Sequence, residues 1–178
     1  GSDGRVGLIG DGVDCVRRGG GLSDQSLVAR RIGNLEFITV AAPDYLARKG
    51  EPRQLEQLLQ HNCLLYMLGT RVHDHWQFND GKRELGLTVS GNRFSDDADV
   101  VRLWAVAGQG IAYKSWLDVA GDVQSGRLKV LLPGLMCERA PLNLLCGHRA
   151  QLSKPVRLLR DMLSERCAML SKLYPGKQ

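Results

Sequence analysis

Short apolar segments, separated by glycine-rich and polar loops, open the chain and limit its fold more than any other feature. Apolar residues predominate in residues 13–16, 27–32 and 36–42, and these segments are too short for helices, so each predicts a β-strand. The first leads into Arg17, Arg18 and three glycines, whose backbone is open to close approach beside two positive groups. This loop is a candidate anion site, and two solvent-facing arginines at a strand end explain it equally well.

Predicted helices and strands alternate along the rest of the chain. Residues 69–81 are polar and mixed and predict a loop, whereas a helix with one leucine face is expected over 52–60. Strands are expected at residues 63–68, 85–90, 110–113, 128–132 and 141–146. The alternation predicts an α/β fold with a mostly parallel sheet.

Three more helices are expected. The clearest covers residues 97–107, with Ser95 or Asp96 as its N-cap. Its predicted buried stripe is Val100, Leu103, Trp104 and Ala107. The others cover 115–124 and the stretch from Ser153 onward, whose predicted buried face is Val156, Leu159, Leu163, Cys167 and Leu170.

The amino-acid composition limits the classes of protein to which the chain can belong. The chain has 178 residues, of which 43% are hydrophobic, enough to bury a core, and no run approaches the ~20 apolar residues of a membrane span. Its 21 glycines suit an α/β fold with many tight connections. Five dispersed cysteines form no C-x-x-C pair, which argues against a disulfide framework or a zinc knuckle and favours a reducing cytoplasm.

The net charge of +5 is concentrated beyond His148, where lysines and arginines far outnumber acids. A basic C-terminal helix can contact nucleic acid or an acidic partner, and a solvated helix face gives the same pattern. No helix-turn-helix signature is visible, so we do not expect this stretch of chain to read DNA sequence itself.

Several segments together resemble one known family. The order D-G-V-D-C-V-x-R-G-G, L-V-A-R-R-I-G and A-A-P-x-Y-L-A-R-x-G is similar to the effector-binding domain of LysR-type transcriptional regulators. The likeness continues through H-N-C-L-L-Y, W-Q-F, S-D-D-A-D-V-V-R-L-W-A-V-A-G-Q-G-I-A and S-G-R-L-K-V-L-L-P to the closing helix. It spans residues 10–170.

The resemblance implies a bilobal α/β fold of the type II periplasmic-binding-protein class, with two Rossmann-like lobes joined by crossover strands near 39–43 and 142–146. Lobe I is expected at residues 1–43 and 141–178, and lobe II at 44–140. Members of the family begin with a further strand and helix of lobe I that have no counterpart here. We therefore expect a swapped or rearranged lobe I.

The resemblance also implies a cleft that binds a small effector, and it places eight residues of this chain there: Arg18, Gly19, Ala42, Pro43, Ser95, Asp96, Tyr113 and Lys114. Some of these placements also have explanations that involve no ligand. The turn at Ser95 and Asp96 can be a simple helix cap whose carboxylate repels anions, and Lys114 can face solvent.

The functional expectation is the sensing half of a bacterial LysR-type transcription factor. A small effector, such as an organic acid, binds between the lobes and controls DNA binding allosterically. DNA is contacted only through a separate helix-turn-helix, the full-length protein is a homodimer or homotetramer, and the location is cytoplasmic and nucleoid-associated. The alternative is a solute-binding protein of a transport system with the same fold.

An enzyme or a metalloprotein is the remaining class. No nucleophile motif, phosphate loop or dinucleotide fingerprint is present in the sequence, so catalysis and a cofactor are not expected. His73 and His75, two residues apart, could share a face of a strand as metal ligands, but a solvated loop explains them better and no metal site is expected.

Overall fold

The computed structural model describes residues 7–10, 27–149 and 153–175. The chain divides into two compact units. Unit 1 combines the residues up to Leu35 with Arg139–Leu173, and unit 2 combines Glu36–Glu138 with the residues from Tyr174 onward. The predicted lobe boundaries at 43 and 140 lie close to these divisions but stay a prediction. The predicted strand at 13–16 lies outside the described residues.

Unit 1 is built on three strands in the order β1, β11, β2: Gly7–Gly10, Arg139–Gly147 and the first part of Leu27–Ala41. β1 is antiparallel to β11, with Gly7 opposite Leu145. The two strands predicted at 27–32 and 36–42 are therefore one continuous strand, β2. Gly33 does not interrupt it, because an extended glycine still carries its backbone hydrogen-bonding groups.

One long helix, α4 (Lys154–Lys172), completes the described part of unit 1. It begins where the sequence predicts, because the Ser153 hydroxyl accepts the N–H of Val156 at 3.4 Å and Pro155 fits the first turn. A Cβ on Gly33 would lie 2.9 Å from the Cβ of Cys167, so helix and strand pack directly at this point. The predicted inward face is confirmed: Cys167 is buried and the other four residues are half-buried.

Unit 2 contains two sheets. The larger places the last part of β2 beside β8, then β3, then β4, with β7 also paired to β3 and β9 to β2. Its strands are β3 Cys63–Leu68, β4 Arg71–His73, β7 Arg93–Ser95, β8 Ile111–Ser115 and β9 Lys129–Val130. The smaller sheet has the order β10, β5, β6, which are Met136–Cys137, His75–Asn79 and Glu84–Thr88.

The expectation of a mostly parallel sheet is wrong for the described pairs. β3 pairs in parallel with β7 and β8, whereas the pairs β1–β11, β2–β8, β2–β9, β3–β4, β5–β6 and β5–β10 are antiparallel. β4 and β5 occupy the stretch predicted as a loop, residues 69–81. Hairpin connections such as the Gly69 turn, where φ is +61°, allow a short strand to return beside its neighbour without a helix.

The helices of unit 2 are α1 Pro43–Lys49, a 3₁₀ helix Leu55–Gln60, α2 Ala98–Val106 and α3 Trp116–Gln124. α1 was not predicted, because Pro43 was interpreted as the end of a strand although proline also suits the first turn of a helix. No helix among the described residues is long and apolar enough to cross a bilayer.

The buried face of α2 differs from the predicted one. Val101 and Ala105 are buried, whereas Leu103 is 50% exposed. The sequence of this helix is apolar on nearly every side, so periodicity alone cannot choose the inward stripe.

The pair Tyr45–His61 ties α1 to the end of the 3₁₀ helix. The N–H of Asn62 donates to the Tyr45 hydroxyl at 3.3 Å, and that hydroxyl lies 2.8 Å from Nδ1 of His61. The hydroxyl can donate its own proton to Nδ1 when the imidazole is neutral and carries its hydrogen on Nε2. Burial lowers the pKa of His61 from 6.5, which favours the same neutral state.

Acidification is expected to destabilise the fold through His61. Because its folded-state pKa is depressed, its contribution is fully present above pH 6.5 and is lost as the pH falls through the lowered folded-state pKa. Thermal unfolding measured from neutral pH to about pH 5 should show a steeper loss for the wild type than for His61→Asn, whose amide oxygen still accepts from Tyr45. Parallel curves would contradict a titrating His61.

Candidate functional site

Three parallel strands of unit 2 end at one edge of its larger sheet. β3 lies between β7 and β8, with Leu65 opposite Phe94 and Leu64 opposite Ala112. The residues that follow β7 and β8 therefore emerge at the same edge, where helices α2 and α3 begin. In open α/β sheets ligands bind outside the carboxyl ends of the strands. We call this region the carboxyl edge.

The N-terminus of α2 is closed by residues of its own turn. Asp97 is the N-cap, and its Oδ1 accepts the N–H groups of Asp99 at 2.9 Å and Val100 at 3.4 Å. The Ser95 hydroxyl accepts the N–H of Asp97 at 3.1 Å, and Asp96 is exposed. The predicted cap was thus one or two residues too early. Since a carboxylate already occupies the position that the helix dipole offers to anions, this terminus disfavours a second one.

Lys114 connects the end of β8 to both helices. Its side chain is 4% exposed, and Nζ donates to the carbonyl oxygen of Ala98 at 2.7 Å and pairs with Asp118 at 3.2 Å. The resemblance places Ser95, Asp96 and Lys114 in one site, and the structure bonds Lys114 to Ala98, two residues after Asp96. The buried charge is balanced by a carboxylate that remains partly exposed, so Lys114 orders the edge rather than standing as a free cation.

The hydroxyl oxygen of Ser115 is buried and has no hydrogen-bond partner. Among the described residues, no other buried side-chain oxygen or nitrogen lacks one. Ser115 is 9% exposed and is the N-cap of α3, but its hydroxyl caps no backbone N–H. Leaving a buried hydroxyl unmatched costs about 1–3 kcal/mol. The N-terminus of α3 therefore differs from that of α2: it lacks a side-chain cap and holds a buried hydroxyl without an acceptor.

Tyr113 lies in the core rather than on an open surface. Its ring is 6% exposed and stacks between Phe37 and Trp76, with centroid distances of 5.4 Å to each. Its hydroxyl donates to the carbonyl oxygen of Gln77 at 3.0 Å and accepts the N–H of Glu138 at 2.9 Å. Burial, the largest cause, raises the pKa of this phenol. Tyr113 thus fixes the strand that carries Lys114 and Ser115.

Ala42 and Pro43 lie away from the carboxyl edge. β2 is antiparallel to β8, with Ile38 opposite Lys114, so Ala42 is four residues, roughly 13 Å, further along the sheet. Ala42 is buried and Pro43 opens α1. Arg18 and Gly19 lie outside the described residues. The effector contacts assigned to all four stay predictions.

The histidine pair does not share a strand face. His73 is opposite Tyr66 in the larger sheet, whereas His75 is opposite Thr88 in the smaller one and its Nδ1 lies 3.2 Å from the Thr88 hydroxyl. The solvated loop expected for them is wrong, because both belong to strands. The described residues contain no cluster of three or more metal-ligating side chains.

An ion network around the buried carboxylate of Asp122 holds α2 against α3 behind the carboxyl edge. Arg102 Nη1 donates to both oxygens of Asp122, at 3.0 and 2.9 Å, and Arg127 Nε donates to the same carboxylate at 2.8 Å. Asp122 is 2% exposed. Hydrogen bonds from Arg102 to Asp99 and Asp122 raise its pKa, so the arginine stays charged. Sequence reasoning missed this network, because an acid and a base twenty residues apart give no local signal.

Sequence reasoning also did not identify the Ser115 hydroxyl as unmatched. A serine before a helix is ordinarily its cap, so the usual signal predicts a satisfied hydroxyl. The departure from that rule is visible only in the structure.

Comparison with known proteins gives one family. The family model described as the LysR substrate binding domain matches residues 1–168. The HTH-type transcriptional activator AaeR of Escherichia coli K12 is 30% identical over 169 residues, which cover 94% of this chain and 54% of that protein. The HTH-type transcriptional regulator DmlR of the same strain is 32% identical over 128 residues, which cover 72% and 42%. The chain spans about half the length of these curated relatives.

Solved structures of LysR-type regulatory domains are similar to this chain. The regulatory domain of CrgA, a LysR-type transcriptional regulator from Neisseria meningitidis, superposes with a TM-score of 0.70 at 25% identity, covering 91% of this chain and 74% of that one. The regulatory domain of AphB in Vibrio vulnificus gives 0.64 at 25% identity, covering 89% and 73%. The predicted α/β fold of the type II periplasmic-binding-protein class is therefore confirmed.

Proposed function

Because the chain belongs to the LysR substrate-binding domain family, we propose that it is the effector-sensing domain of a transcription factor whose DNA-binding module is not among these residues. A small effector binds at the carboxyl edge of unit 2 and changes how the complete protein engages DNA. The observation that carries the binding site is the unmatched, buried hydroxyl of Ser115 at the uncapped start of α3.

The relatives support a regulator over a transport protein. AaeR and DmlR are both named as transcriptional regulators, and none of the chemistry at the carboxyl edge points to turnover. We propose that the domain is not an enzyme, acts in the bacterial cytoplasm near the nucleoid, and forms a homodimer or homotetramer in the full-length protein. The lobes are assigned to 1–43 with 141–178 and to 44–140.

The chemistry of the edge favours an effector with an anionic or strongly accepting group. The Ser115 hydroxyl can donate to such a group, and the start of α3 carries the positive end of its helix dipole. Lys114 adds positive potential that Asp118 partly offsets. The exposed carboxylate of Asp96 keeps a second anion away from α2, so the acceptor is directed to α3. A small organic acid meets these conditions.

Signalling follows from differential affinity. An effector shifts a conformational equilibrium only to the extent that it binds one state better. At the carboxyl edge, a ligand contacts the start of α3. Lys114, which pairs with Asp118 in the first turn of α3, also donates to the carbonyl oxygen of Ala98 in α2. The Arg102–Asp122 network couples the two helices. A change at Ser115 is thereby transmitted to α2.

A thermal-shift screen with small mono- and dicarboxylic acids tests the site. An acid at a hundred times its dissociation constant should stabilise the wild type by about 2.7 kcal/mol. Ser115→Ala should lose most of that shift. Without ligand the same variant should be as stable as the wild type or more stable, by up to about 1 kcal/mol, because the unmatched hydroxyl is gone.

The matched control is Ser90→Ala, an exposed serine of the same unit. It should keep both the wild-type stability and the ligand shift. An acid that stabilises Ser115→Ala as strongly as the wild type would place its site elsewhere, and no stabilisation by any acid would exclude this effector class.

A further inference from the structure

The outer face of α4 carries an apolar stripe. Four large side chains point away from unit 1 and are more than half exposed: Leu158 at 58%, Met162 at 58%, Met169 at 55% and Leu173 at 52%. The buried residue Cys167 lies roughly 150° around the helix from the middle of this group. Contiguous exposed apolar surface of this kind marks an interaction site more often than isolated residues do.

Two charged residues complete the stripe at its centre. Glu165 and Arg166 are exposed, and neither belongs to the ion pair described within α4, which joins Arg160 to Asp161 at 3.7 Å. At about 100° per residue, these two and the four apolar side chains fall within roughly 100° of the helix circumference. They therefore form one continuous surface, which we call the α4 stripe.

The α4 stripe is a palindrome. Met162 precedes Glu165 by three residues and Met169 follows Arg166 by three. Leu158 precedes Glu165 by seven and Leu173 follows Arg166 by seven. A two-fold axis midway between Glu165 and Arg166 therefore brings the apolar residues of one helix opposite the apolar residues of a second copy. At the centre it brings the acidic residue of each helix opposite the basic residue of the other.

We infer that α4 pairs antiparallel with α4 of a second copy of this chain. A two-fold interface is isologous, so a surface must be complementary to itself. The stripe meets that condition: each Leu158 faces the partner's Leu173, each Met162 faces the partner's Met169, and each Glu165 faces the partner's Arg166. A parallel arrangement would instead set acid against acid and base against base.

The flank of the stripe is complementary in the same arrangement. Asp161 and Lys172 are exposed on one side of it. Under the two-fold operation this side of one helix meets the same side of the other, so Asp161 comes within reach of the partner's Lys172. The charges thus specify the antiparallel register, while the leucines and methionines supply the buried area.

Sedimentation equilibrium over a dilution series, in the absence of any effector, tests the pairing. The wild type should show a reversible monomer–dimer equilibrium that weakens as salt is raised. Glu165→Arg and Arg166→Glu should each weaken the dimer by about tenfold or more, because each sets like charges face to face at the centre. The double variant, which exchanges the two charges, should dimerise like the wild type.

Mixing the two single variants is the most specific test of the antiparallel pairing. An equimolar mixture of the Glu165→Arg and Arg166→Glu proteins should form a heterodimer, since both central pairs are then of opposite charge. Arg157→Glu makes the same charge change on α4 but off the stripe, and it should leave the equilibrium unchanged. A wild type that stays monomeric, or a dimer indifferent to both single variants, would overturn the inference. Neither result depends on whether an acid binds at Ser115.

Discussion

Gly91→Ala is expected to destabilise the domain by about 4 kcal/mol or more, at the extreme of what single substitutions do. A Cβ at this position would overlap the carbonyl oxygen of Cys63 and lie 2.7 Å from its carbonyl carbon. The obstruction is backbone, so no side chain can rotate away. The two segments must separate instead.

Separation at Gly91 would break bonds on both sides of it. The N–H of Cys63 donates to Ser90 at 3.0 Å, and the N–H of Asn92 donates to the Asn62 side chain at 2.9 Å. Each is worth about 1 kcal/mol net. They hold the start of β3, the central strand of the carboxyl edge, so the variant should also lose ligand binding.

The matched control is Gly121→Ala in α3, where an added Cβ meets nothing within 4 Å. Alanine has the higher helix propensity, so this variant should gain up to about 1 kcal/mol. Urea denaturation of both variants measures the difference. Equal stability of Gly91→Ala and wild type would show that the contact between residues 63 and 91 is looser than the structure has it.

Asp122→Ala is expected to cost about 3 kcal/mol. Its carboxylate is 2% exposed and accepts from Arg102 and Arg127, so its removal leaves the less accessible guanidinium without its buried partner. Because Arg102 is 27% exposed and Arg127 is 55% exposed, water can still solvate both guanidinium groups. The loss of unfolding free energy is therefore at the lower end of the range for a broken buried ion pair. Urea unfolding measures it.

Asp99→Ala removes the other carboxylate bound to Arg102 and serves as the control. Asp99 is 69% exposed, so this variant should cost no more than about 1 kcal/mol. A double-mutant cycle of Asp122→Ala with Arg102→Met should show a coupling energy of at least about 1 kcal/mol. Additive losses would mean that α2 and α3 are not joined through this pair.

Periodicity and capping signals predicted the fold where the environment of a segment is simple. β3 has the bounds expected from its apolar run, and α4 begins at the predicted serine cap with the predicted inward face. The hairpin strand β5 was missed although its signal was present. Trp76 and Phe78 are buried while the polar residues between and around them are more open, a period-two alternation hidden by the histidines beside it.

Other features depend on tertiary contacts that no local pattern contains. The inward stripe of α2 is decided by its contact with β3 and β8 and not by its own composition. Lys114 was expected in the site on resemblance alone, and its bond to Ala98 follows from how α2 begins. Ser115 is informative because it breaks the local rule, and such departures concentrate at functional sites.

The most direct test of the effector-sensing account is an NMR titration of the isotopically labelled chain with the acid that gives the largest thermal shift. The largest amide shifts are expected from Lys114 to Asp118, with smaller ones at residues 95–98, and Ser115→Ala should abolish them. Saturable shifts centred on unit 1, or on Ala42 and Pro43, would contradict a binding site at the carboxyl edge.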